Sequence, residues 1–69
     1  MTYDEFFNAV HKLYMAQEAS MDFRLGQIFF NELLLVRPAI AEQLRGSMLD
    51  PFYKERITQV ASDFVRERW

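Results

Sequence analysis

The sequence predicts an all-α fold: one small helical bundle of three main helices plus one or two short helical turns, with residues 1–69 as a single domain. Three observations carry that expectation. The run Phe23–Val36, FRLGQIFFNELLLV, is apolar on nearly every side when its residues are set at helical spacing. Thr2 to Glu5 opens an amphipathic segment with a capping-box pattern. Two Xaa-Pro pairs, Arg37-Pro38 and Asp50-Pro51, then mark where later helices end and begin.

The first helix is expected from Tyr3 to about Gln17. Thr2 is placed to cap it, Glu5 to close the capping box, and Met1 and Phe6 to form a hydrophobic staple. Asp4 and Glu5 suit the positive end of the helix dipole. Tyr3, Phe6, Phe7, Val10, Leu13 and Tyr14 share one face, and Asp4, Asn8, His11 and Lys12 the other, with Met15 on the polar side. Residues 18–22 read as a turn, and either Ser20 or Asp22 would cap the central helix.

The central helix organises the chain. A helix apolar all round packs all round. Only Arg24, Gln27 and Asn31 form a narrow polar line, at i, i+3 and i+7. A strand confined to Ile28–Phe30 is disfavoured, because polar residues do not alternate there and leucine dominates the second half. Gly26 inside a helix costs roughly 1 kcal/mol relative to alanine. Close approach of a crossing helix would explain it, with a local kink as the alternative.

Pro38 to Arg45 is the third helix, with Ile40, Ala41 and Leu44 inward and Gly46 as its C′ residue. Asp50 would cap a further turn opened by Pro51. Ile57, Val60, Ala61, Phe64 and Val65 share a face, but Phe52 falls opposite them. Either Phe52 is exposed or the segment breaks near 56–58. The break is favoured, with one turn over 51–55 and Thr58 capping a helix that reaches about Arg68. Helices two and four are expected to pack on each other, with the first laid across them.

Arg24-Leu25-Gly26-Gln27, Phe30-Asn31, Arg37-Pro38, Leu49-Asp50-Pro51-Phe52-Tyr53 and Trp69 together resemble a group of small uncharacterised proteins of bacterial and phage genomes. The resemblance spans roughly Arg24 to Trp69. It implies an independent small domain and attaches no activity, cofactor or partner. Similar chains carry a proline just after the position of Ile57, where Thr58 stands here.

Composition narrows the function. The 69 residues are 51% hydrophobic and 16% aromatic, with no cysteine and a formal net charge of −2. A chain this short buries only about 60% of its unfolded surface, so it leans on an unusually apolar core or on oligomerisation. No disulfide or thiolate metal site is possible. The charge argues against nucleic acid as partner. The acidic start and the interrupted apolar run suggest neither a signal peptide nor a membrane span, and the chain reads as cytoplasmic.

No catalytic, cofactor-binding or metal-ligating set emerges. His11 is the only histidine, with no second positioned group for acid–base work and no ligand set around it. Ser20, Ser47 and Ser62 lack the glycine flanks and histidine partner of a nucleophile, and two glycines cannot cradle a phosphate. Arg24, Gln27 and Asn31 are either a solvated stripe, a set of groups bonding nearby helix ends, or a polar recognition strip. If buried, Arg24 would need Asp22 or Asp50. Lys54, Arg56, Arg66 and Arg68 are offset by Glu55, Asp63 and Glu67, as on a solvated ion-paired face. The apolar surplus is more telling. Phe29, Leu33, Leu35, Met48, Phe52 and Trp69 are either all core or in part a protein–protein surface, for which Phe29, Leu35, Phe52 and Trp69 are the candidates.

The expected function is therefore a non-enzymatic interaction module, of phage or prophage type, that forms a homodimer or higher homo-oligomer or binds a host protein. The alternative is a small DNA-associated regulator, with Arg24, Arg37 and Arg45 around a helix-turn-helix spacing. A membrane-surface helix would need a basic polar face, which the first helix lacks.

Overall fold

The computed structural model describes residues 1–17 and 23–69. Four helices succeed one another: α1 (Tyr3–Ala16), α2 (Leu25–Val36), α3 (Pro38–Leu44) and α4 (Gln59–Arg68). Among the described residues there is no strand, and no helix is long and apolar enough to cross a membrane. The fold is all-α. The radius of gyration is 11.2 Å, close to the ~11 Å expected of a compact chain of this length.

α1 opens as its sequence dictates. Thr2 Oγ1 accepts from the Glu5 amide at 3.1 Å, and Glu5 Oε1 accepts from the Thr2 amide at 2.7 Å. Donation from Thr2 holds the Glu5 carboxyl below its ordinary range. The staple takes another form: the Met1 side chain stays exposed, while its carbonyl accepts from Trp69 Nε1 at 2.9 Å. Tyr3, Phe6 and Val10 are buried, and Phe7 and Tyr14 half-buried. Leu13, expected inward, is exposed, because the last turn of α1 flanks a groove rather than the core.

α2 begins at Leu25 and has no side-chain cap; Arg24 is its N-cap, and Ser20 and Asp22 lie outside the described residues. Part of the cap's work is done from a distance. The Gly26 amide donates to the Lys54 carbonyl at 3.1 Å, in a turn closed by the Lys54 amide donating to Pro51 O at 2.8 Å. Two carbonyls, of Pro51 and Lys54, therefore sit against the first turn of α2, where free amides and the positive end of the dipole favour them. A Cβ on Gly26 would lie 2.7 Å from Lys54 O and closer still to Pro51 O. The close neighbour expected at Gly26 is real, but it is this turn and not a crossing helix.

The α2–α3 junction turns on one residue. The Arg37 amide completes α2 by donating to Leu33 O at 2.7 Å, and Arg37 O accepts from Ile40 and Ala41 to start α3. Pro38 at the first helical position gives up only an amide that had no partner to find. Ile40, Ala41 and Leu44 face inward, and Gly46 beyond α3 adopts φ 70°.

Asp50 organises the loop after α3. One carboxylate oxygen accepts from the Gly46 amide at 2.8 Å and the other from the Phe52 amide at 3.0 Å. One side chain thus ties the end of α3 to the turn that covers Gly26. Asp50→Ala is expected to cost about 1–2 kcal/mol in urea unfolding, with Asp50→Asn recovering part of it.

The expected break after this turn is present. Residues 51–54 form a turn rather than a helix, and α4 starts afresh at Gln59, with Thr58 Oγ1 accepting from the Ala61 amide at 3.1 Å. The buried face of α4 is Ala61, Ser62 and Val65. Val60, expected inward, is 59% exposed, and Ser62 takes the buried place because it meets Tyr3.

The expected packing of α2 on α4 is corrected. α2 runs between α1 and α3. α4 instead closes on the first turn of α1, through Tyr3–Ser62 at 2.7 Å and Arg66–Asp4 at 3.0 Å. It also reaches α3, where Arg68 Nε donates to Gln43 at 3.1 Å. These contacts tie α4 to α1 and α3.

Tyr3 carries a pH dependence into these contacts. Burial raises its phenol above its ordinary value of 10.0, against an opposing pull from the Ser62 bond. The folded state thus prefers the neutral phenol. That preference contributes fully below about pH 10 and is lost as pH rises further through the folded value. An alkaline unfolding step above about pH 10 is expected by circular dichroism, and it should weaken in Tyr3→Phe.

Candidate interaction surface

Phe29 is 0% exposed, with its ring 5.4 Å from Phe6 and 6.5 Å from Phe7. It belongs to the core and offers nothing to a partner, which corrects its place among the surface candidates. Leu33 is likewise fully buried. Both lie on the side of α2 that also carries Gly26 and Phe30, where α1, α3 and the 51–54 turn converge.

Trp69 and Phe52 are half-buried and already matched. The Trp69 ring lies 5.0 Å from Phe6 and 5.6 Å from Tyr3, with the Arg37 guanidinium 4.4 Å from its centroid. Phe52 sits edge-on between Phe30 at 5.9 Å and Tyr53 at 4.9 Å. Of the four apolar candidates only Leu35, 77% exposed, stands clear in solvent.

The polar stripe occupies the outer edge of α2. Arg24 and Asn31 are exposed and Gln27 half-buried, and among the described residues none of the three makes a side-chain hydrogen bond or ion pair. The version in which Arg24 is held by Asp50 does not form, since both Asp50 oxygens serve backbone amides. Leu35 falls on the same edge, one turn beyond Asn31. Asp22, the other partner expected for Arg24, lies outside the described residues; among the described residues the stripe is an exposed line, half-buried at Gln27, with an apolar end.

Two concave regions mark the surface, and the first borders the stripe at Asn31. The first, about 530 Å³, lies between the end of α1 and the outer edge of α2, with Leu13, Phe23, Ile28, Asn31 and Glu32 in its walls. Gln17 closes one side: its amide both donates to Phe23 O at 3.0 Å and accepts from Phe23 N at 2.9 Å. The second is a shallow channel along α4, formed of two joined hollows that share Leu49 and Val60. Sequence reasoning missed Leu13 and Val60, since both sit at helical spacing with true core residues. Only their remote neighbours distinguish them.

His11 is explained structurally. Nδ1 lies 2.9 Å from the Phe7 carbonyl, and the ring lies tilted against that of Phe7, with 4.4 Å between centroids. Among the described residues no three acidic or histidine side chains converge as a metal site would require. Arg37 and Arg45, proposed for DNA, face aromatic rings. Arg37 covers Trp69, while Arg45 lies 5.3 Å from Phe30 and pairs with Glu42 at 3.2 Å. No family model, curated protein or solved structure matches this chain.

Proposed function

We propose that this protein is a non-enzymatic interaction module that self-associates or binds a second protein. The observation that carries the reading is the set of large apolar side chains left in solvent, which includes Leu13, Met15, Leu35, Met48 and Val60. The core does not need them, since Phe6, Phe29, Leu33, Leu44 and Val65 already fill it. Isolated exposed apolar residues are ordinary; Met48 and Val60 line one hollow together, and adjoining exposed apolar groups of that kind support a contact region.

The total accessible surface is 4762 Å², so a contact of about 800 Å² per partner would cover a sixth of it. A phage or prophage accessory role rests on the sequence resemblance, which names no partner; binding of a host protein rests on the exposed apolar side chains alone. Light scattering over a concentration series and a pull-down from the native host test the module reading together. A rising mass or a specifically retained protein supports it. A strict monomer that retains nothing would overturn it.

A further inference from the structure

We infer that the channel along α4 pairs with the same channel of a second copy of this chain, the two α4 helices running antiparallel about a two-fold axis. This rests on the self-association arm of the proposed function and specifies its surface.

The lining is partly apolar: Met48, 99% exposed, and Val60, 59% exposed, stand at its rim, with half-buried Leu49 and Phe64 beside them. The two ends differ in charge. Lys54 and Arg56 line the end at the start of α4, and Asp63 and Glu67 line the other. Glu55 is not in the lining. Arg68, which is, lies over Phe64 at 3.6 Å, bonds Gln43 and the Phe64 carbonyl, and pairs with Glu67 at 3.8 Å, so this end keeps one net negative charge, that of Asp63, against the two positive charges of the other. Among the described residues Lys54 and Arg56 form no ion pair.

The helix dipole adds to this polarity, positive at the Lys54/Arg56 end and negative at the Glu67 end. A parallel copy would set like charges together. An antiparallel copy sets the cationic end of each chain on the anionic end of the other, and Val60 near Val60. A two-fold contact must be self-complementary, and this channel is. α4 has ten residues, about 15 Å of helix, so the contact belongs to the small and weak class.

Sedimentation equilibrium from about 10 μM to about 1 mM at low salt tests the inference. Wild type should show a monomer–dimer equilibrium. K54E/R56E and D63K/E67K should each weaken it at least about tenfold, a loss of about 1.4 kcal/mol. An equimolar mixture of these two variants should recover dimers, because each then meets its opposite at both ends. V60D should abolish dimers in every background. All five positions are exposed, and circular dichroism of each variant confirms folding. Wild-type association that none of the variants alters would overturn this surface while leaving the module reading intact. A mixture that stays monomeric would overturn the antiparallel pairing, and a strictly monomeric wild type would remove self-association altogether.

Discussion

Gly26→Ala is expected to destabilise the protein by about 2–3 kcal/mol, although alanine is the better helix former by roughly 1 kcal/mol. The two effects have opposite signs, so the experiment decides between them. The three nearest atoms that the new methyl group meets are all backbone: Pro51 O, Pro51 C at 2.9 Å and Lys54 O at 2.7 Å. No side chain can rotate away. Relief requires the 51–54 turn to lift, and Pro51, which is fully buried, would have to move with it. Lifting also breaks the Gly26–Lys54 hydrogen bond, a loss of about 1 kcal/mol. Urea unfolding of the two proteins measures the difference. Gly26→Leu should be worse, since the branched side chain has no outlet either.

Leu33→Ala is expected to cost about 2–5 kcal/mol. Leu33 is 0% exposed within the core cluster that includes Val10, Phe29, Ile40 and Leu44. A chain of 69 residues has a total stability of only about 3–10 kcal/mol, so the variant should be largely unfolded or close to it. Leu35→Ala is the control. It makes the same chemical change on the same helix, two positions on, at a side chain that is 77% exposed. Its cost should stay within about 0.5 kcal/mol. Equal losses in the two variants would mean that α2 does not face the core as described.

Most local structure was legible because local chemistry sets it. Thr2 with Glu5, Pro38, Gly46 and Thr58 each satisfy or relieve a backbone constraint within a few residues, and each stands where expected. The inward residues of α3 follow from spacing alone. What escaped was contact between distant parts of the chain. Ser62 is buried because Tyr3, 59 positions away, meets its hydroxyl, and this turns Val60 outward. The first turn of α2 is served by the carbonyls of Pro51 and Lys54, and a carbonyl carries no trace of residue type. Glycine at position 26 signals that something approaches closely; whether helix or turn is not written in the residue.

The surface was legible only in part for the same reason. An apolar surplus shows in composition, but which side chains make it up depends on how the helices dock. Phe29 and Leu33 went to the core, Phe52 and Trp69 to half-covered aromatic contacts, and Leu35 and Met48 to solvent. Leu13 and Val60 joined the exposed set because the elements beside them turn elsewhere. The tail's mixed charges, Lys54, Arg56, Arg66 and Arg68 against Glu55, Asp63 and Glu67, read in sequence as a solvated ion-paired face. In three dimensions Lys54 and Arg56 line one end of a channel, and Asp63 and the Glu67–Arg68 pair the other.

The fold depends on α2 being enclosed by α1, α3 and the 51–54 turn at once. Amide hydrogen exchange measures this directly, residue by residue. The backbone amides of Phe29, Phe30 and Leu33 are expected to exchange only when the whole protein unfolds, with protection equal to the global stability. Exchange at those three amides that is as fast as at an exposed helix end would contradict the enclosure of α2.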